Sequence, residues 1–214
     1  MSTLGLGPTQ QPTDVPSFGG YGGVPGQLLG VAFGQRAIAR IIDHALHLIV
    51  TMATAFVVGL VVAVVAALNH QDVPHLAQKF RELGLLRFAI PFLGYIGYTT
   101  CCEGLHGSTL GKLALGIVVV DDSGKPCGLR AALIRSVVYV IDGIFFGLVG
   151  YLEMQKSPQE KRHGDNLAHT IVCKRSIVPT ESLRGVGRFL GALTLGIIFD
   201  ASMTVFAFAV ALRQ

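Results

Sequence analysis

The chain has 214 residues, 51% of them hydrophobic and only 14% charged, with a mean hydropathy of +0.57. An ordinary soluble domain carries about 25% charged residues, and amphipathic surface helices show a polar stripe that residues 56–68 lack, so a soluble globular fold is set aside. The net charge of +4 does not point to nucleic acid, because no aromatic-interleaved basic patch accompanies it and membrane proteins acquire basic loops through topology alone.

Residues 1–33 are expected to form a disordered tail. Pro8, Pro12, Pro16 and Pro25 alternate with Gly19, Gly20, Gly22 and Gly23 among Gln, Ser and Thr, a composition that cannot bury a core. The tail lacks the basic start and apolar run of a secretory signal. Four apolar runs follow, at residues 45–68, 83–105, 131–154 and 189–212, each near or above the roughly 20 residues that cross a bilayer as a helix. The first helix begins near Gly34 and carries Arg36, Arg40, Asp43, His44 and His47 before turning uniformly apolar. A polar connection with His70, Asp72, Pro74 and His75 leads to the second helix. There Arg87 precedes Pro91, where a kink is expected, and Gly94 and Gly97 offer close helix approach.

Residues 106–130 change character. Gly107, Gly111 and Lys112 resemble part of a phosphate loop, but the spacing is GxxxGK and Leu113 stands where Ser or Thr is required, so nucleotide binding is rejected. The β-branched run 117–120 ends in a turn at Asp121 to Gly124, and a second short run, 170–173, is placed to pair with it as a ribbon. Counting Lys and Arg distinguishes two topologies. With four full spans the two faces carry six and ten; if the third segment enters and leaves on one side, turning near Asp142 and Gly143, they carry twelve and four. The second arrangement obeys the positive-inside rule better and gives both ribbon strands one compartment, although the four-span alternative stays open.

The pairs Arg36-x6-Asp43 and Arg135-x6-Asp142 repeat one spacing, about two helical turns, which sets Arg and Asp on one helix face. Ionisable side chains are expensive in a bilayer and turn toward protein or water. The expectation is a charge-neutral quartet in which Arg36 faces Asp142 and Arg135 faces Asp43, either as architecture or as a transport site. Asp43 stands four residues before His47, so the two can form a proton or cation relay on one face. Asp200, midway along the last apolar run, needs a partner, and Arg87 or Arg135 is the best available. The cluster from Lys156 to Asp165 reads as a flank near anionic headgroups, with Asp165 turning the chain into the second strand. The four cysteines form no zinc or CxxC spacing and read as reduced. No catalytic set, metal site or cofactor motif survives inspection, so no enzyme activity is expected.

Four blocks in order, Arg36-x2-Ala39-x3-Asp43, Gly107-x-Thr109-Leu110-Gly111-Lys112-x3-Gly116-Ile117-x-Val119, Arg135-x6-Asp142 and Gly164-Asp165-x2-Ala168-x-Thr170-x-Val172, resemble the RDD family over residues 34–175. The resemblance implies a mostly bacterial, multi-pass membrane protein in which Arg36, Asp43 and Asp142 are the family's charged positions and Arg135, Lys112 and Asp165 belong to accompanying motifs. It also implies a role in transport, including cation–proton exchange for some members. The expected fold is therefore an all-α integral membrane bundle of three or four apolar segments with a short cytoplasmic β-ribbon. Residues 34–175 would form the membrane domain and residues 176–214 a linker plus an additional helix. The expected location is the bacterial inner membrane, with the tail cytoplasmic. Partners would be membrane lipids, a cation and a proton, and a second copy or a partner membrane subunit. The competing reading is a scaffold or accessory subunit whose charged pairs are purely structural.

Overall fold

The computed structural model describes residues 28–70, 78, 79, 81–157 and 159–213, so the expectations for residues 1–27 and for Asp72, Pro74 and His75 lie outside the described residues. In chain order the elements are α1 (Phe33–Leu68), α2 (Leu86–Leu105), α3 (Leu110–Ala114), β1 (Ile117–Asp121), α4 (Leu129–Asp142), α5 (Ile144–Met154), α6 (His163–Leu167), β2 (Thr170–Lys174) and α7 (Val186–Arg213).

Helix α1 has 36 residues, a length of about 54 Å. Apart from Ala66 its buried residues, Arg36, Ala39, Arg40 and Asp43, all fall in the first three turns. Beyond them Met52, Phe56, Leu60 and Val64 stand exposed. Such a bare apolar surface is costly in water at about 25 cal/mol per Å² and costless in hydrocarbon. Helix α7 buries Phe189, Ala192, Gly196, Asp200, Thr204, Ala207 and Ala211, a stripe at three- and four-residue steps. Among the described residues, these two helices are long and apolar enough to cross a membrane.

The second apolar run is less apolar than the first and the last: Arg87, Tyr95, Tyr98, Thr99 and Glu103 dilute its hydropathy, while Leu86, Phe88 and Leu93 of α2 stand exposed and its other face packs inward. Tyr95, Tyr98 and Cys102 form a buried cluster against Leu46, Phe92, Tyr139 and Leu193. The helix continues through Pro91. A Cβ added at Gly94 would lie 2.5 Å from Asp200 Oδ1, and one at Gly97 would lie 2.0 Å from the Phe199 ring, so α2 and α7 meet at the close approach expected of these glycines.

The third apolar run breaks where expected, at Asp142 and Gly143. The axes of residues 129–142 and 147–154 differ by 109°. On either side of this bent segment lies the ribbon. Strands β1 and β2 pair antiparallel, from Ile117 opposite Lys174 to Asp121 opposite Thr170. Asp121 Oδ1 accepts from the backbone N–H groups of Ser123 (2.9 Å) and Lys125 (2.8 Å), building the anticipated turn after β1. Leu28 packs on the ribbon with Val118, Val120, Ile171 and Cys173, and the Val31 N–H donates to Val172 O at 2.9 Å. Ordered packing thus begins before residue 34, inside the stretch assigned to the tail. All four cysteines are free; burial pushes the Cys127 thiol up to about 11 and the Cys173 thiol to about 12.

Candidate functional site

Polar chemistry concentrates where the start of α1, the end of α2, α3, α4 and α6 converge beside the ribbon. Two fully buried carboxylates, Glu103 and Asp165, organise it. Glu103 accepts from Lys112 Nζ and from Arg135 Nε at 3.0 Å, with Arg40 Nη2 3.7 Å away. Asp165 accepts from Arg36 Nη1 at 2.6 Å and from Arg135 Nη1, and Arg162 Nη2 lies 3.7 Å from it. Arg135 therefore bridges both hubs, and its Nη1 also donates to Thr170 Oγ1 at 2.8 Å, fastening α4 to β2. Arg36 Nε donates to Val31 O at 2.8 Å, so the same guanidinium holds the segment ahead of α1.

Burial favours the neutral form of Asp165, yet the guanidiniums of Arg135, Arg162 and Arg36 outweigh it and hold the carboxyl well below its usual range. Asp165 also accepts from the Arg162 N–H at 3.1 Å, which caps the first turn of α6 and directs the chain into β2, as anticipated. Burial pulls the Lys112 ammonium down to about 7, with the Glu103 carboxylate working against it.

The anticipated quartet does not form. Arg36 meets Asp165 rather than Asp142, and Arg135 meets Glu103 and Asp165 rather than Asp43. The cause is local: Asp43 is already satisfied by uncharged donors. It accepts from Tyr98 Oη at 3.0 Å, Thr109 Oγ1 at 2.6 Å and the Gly111 N–H at 2.8 Å. Gly111 reaches it because a Cβ there would stand 2.0 Å from Ala39 O; only glycine lets α3 lie against α1. Asp142 accepts from His163 Nδ1 at 3.1 Å and the Gly164 N–H at 3.4 Å, tying the end of α4 to the start of α6. The motif residues Gly107, Thr109, Gly111, Lys112, Asp165 and Thr170 thus share one neighbourhood; Gly107 O accepts from the Val119 N–H at 2.7 Å.

A second polar centre lies farther along α1. His47 Nδ1 is 2.9 Å from Asp200 Oδ2 and 3.0 Å from Oδ1, and Asp200 is 1% exposed. Neither Arg87 nor Arg135 is the partner of Asp200: Arg87 lies over the Phe88 ring and Arg135 is held in the network. His47 in turn faces Asp200 instead of Asp43, so the expected relay along one helix becomes a link between α1 and α7. His44 Nδ1 sits 2.7 Å from Arg40 O, and among the described residues no group of three or more His, Cys, Asp or Glu is placed to hold a metal ion.

Glu103 and its hub role escaped the sequence reading. Its signal was an acidic side chain in the last turn of a helix, where the macrodipole disfavours it, nine residues before Lys112. Such a residue needs cations from elsewhere in the fold. Compared with protein-family models, residues 31–169 match the RDD family. No curated protein and no solved structure matches the chain.

Proposed function

This chain belongs to the RDD family, whose members are membrane proteins, and from that premise we propose that it exchanges a cation for a proton across a bacterial inner membrane. The observation that carries the reading is the His47–Asp200 pair, which joins the two helices able to cross a membrane at the middle of α7. A buried carboxylate beside an imidazole offers a proton two neighbouring sites. A cation and a proton compete for the same carboxylate oxygens, so each expels the other, as exchange requires. The network around Glu103 and Asp165 then serves as the rigid end against which α1 and α7 are held.

The ribbon supports a topology in which α4 and α5 enter and leave on one side. Paired strands lie about 4.8 Å apart, whereas the hydrocarbon core is about 30 Å thick. Asp121 and Thr170 are direct partners, which favours a segment between them that starts and ends in one compartment. The Lys and Arg distribution favours the cytoplasm for that compartment and for the tail. Purified protein in liposomes loaded with a pH-sensitive dye tests the function. Cation-driven proton flux that Asp200→Asn abolishes, with folding intact, is the expected result; silence with every alkali cation sinks the reading.

A scaffold or accessory subunit is the second reading. The observation in its favour is the exposed apolar length of α1, which leaves Phe56, Val57, Leu60 and Val61 free to meet a second copy or another membrane subunit. In that case the His47–Asp200 pair is a structural clasp, and neither reading uses a cofactor or a catalytic step.

A further inference from the structure

A cavity of about 520 Å³ lies between the first turns of α1 and the α4–α5 turn. Arg36, Arg40 and His44 reach it from α1, Tyr139 and Asp142 from α4, and Arg162 from the loop before α6. Its lining is unbalanced in charge: Arg36, Arg40 and Arg162 reach the cavity, and Asp142 is the one carboxylate among its lining residues. Glu103 and Asp165, which these arginines also approach, are shared with Lys112 and Arg135. An uncompensated charge in a dry site is strongly disfavoured.

The donors are unmet as well. Arg40 Nη2, which stands 3.7 Å from Glu103 Oε1 and so outside hydrogen-bond distance, and Arg162 Nε are buried with no hydrogen-bond partner among the described residues, and each arginine is 7% exposed. The Arg40 guanidinium is held in place, 4.3 Å over the Tyr139 ring and with Nη1 donating to Tyr95 Oη at 3.1 Å, so its remaining face is preorganised rather than loose. Asp142, the one carboxylate lining the cavity, is already engaged by His163 and the Gly164 N–H. Gly143, Gly147 and Gly150 complete the wall; a Cβ at Gly150 would stand 3.2 Å from Asp142 O and 3.4 Å from Arg162 Cδ.

We propose that this cavity binds a phosphate-bearing anion, gripped by Arg40 and Arg162. Guanidinium forks match phosphate oxygens and form charge-assisted hydrogen bonds, and one phosphate satisfies both orphaned donors and the charge excess together. Phe33 and Ile41 line the cavity, and Ile41 is 68% exposed; this apolar rim favours a lipid phosphate with its chains along that surface. The site does not depend on the exchange reading, because it uses neither His47 nor Asp200.

Native mass spectrometry of delipidated protein in detergent micelles tests the proposal, with dioleoyl phosphatidic acid, phosphatidylcholine of the same chains, and inorganic phosphate as probes. Phosphatidic acid is expected to be retained well above phosphatidylcholine. Arg162→Gln is expected to weaken retention about tenfold. Ala37→Leu, which fills the cavity without touching a charge, should do the same in a protein whose melting temperature is unchanged. Competition by millimolar inorganic phosphate identifies the free ion as a source, and its failure to compete identifies the lipid; either result supports the site. Equal retention of both lipids together with no phosphate binding, or phosphatidic acid binding that survives both variants, overturns it.

Discussion

Glu103 has no net-neutral substitute, because Arg40, Lys112 and Arg135 converge on its two oxygens from three different elements. Glu103→Gln removes the anion and leaves the cations buried, so folding stability should fall by about 3–5 kcal/mol. Unfolding in micelles followed by circular dichroism checks this, and an unchanged midpoint would show the hub to be dispensable. Asp165 adds a pH dependence of definite sign. Its folded carboxyl lies well below the ordinary value of 3.8, so its contribution is complete above that value. It is lost as pH falls below about 3.8, and Asp165→Asn should flatten this acid limb of a melting-temperature profile. Exchanging Arg135 with Asp142 is not expected to rescue anything, since Arg135 pairs with Glu103 and Asp165 while Asp142 pairs with His163. That outcome was illegible in the sequence. The spacing of seven correctly put Arg and Asp on shared helix faces, but it says nothing of which neighbouring helix supplies the partner. Asp200 was the easier case: its isolation in an apolar run required a partner, and only the partner's identity, His47, came from the fold.

Helices here are positioned by glycines as much as by apolar faces. Gly111→Ala should drive a Cβ into Ala39 O and withdraw the Gly111 N–H from Asp43, at a cost of about 2–5 kcal/mol. Gly34→Ala, at a position where an added Cβ meets nothing within 4 Å, is the matched control and should leave the melting temperature unmoved. A pair of equal shifts would remove the close-approach argument. At this scale the sequence was largely readable. β-branched runs marked both strands, and the Asp142–Gly143 break marked the end of α4. What the sequence left unread in α2 was its inner face: Tyr95, Tyr98 and Cys102 pack together against Leu46, Phe92, Tyr139 and Leu193, a set of partners that the order of residues along one helix does not name.

For the molecule as a whole, the proposed arrangement assigns the ribbon side to the cytoplasm and the end of α1 to the other face. In a background lacking native cysteines, Gln78→Cys should react with an impermeant thiol reagent added to intact cells, while Ser123→Cys should react only after lysis. Both positions are exposed, so shielding by the protein does not confuse the result. Labelling of Ser123→Cys from outside would remove the topology. The register of the ribbon also bears on how the protein is made. β1 leaves the ribosome long before β2, and between them emerges the apolar stretch 129–154, which the insertion machinery must either thread through the bilayer or return. A nascent chain that threads it strands the two halves of the ribbon on opposite sides, leaving Val119 and Val172 with unpaired edges. A chain that returns it hides those edges as soon as Lys174 is synthesised. Pairing of Ile117–Asp121 with Thr170–Lys174 is therefore available only to a chain whose intervening segment returns to the side it left.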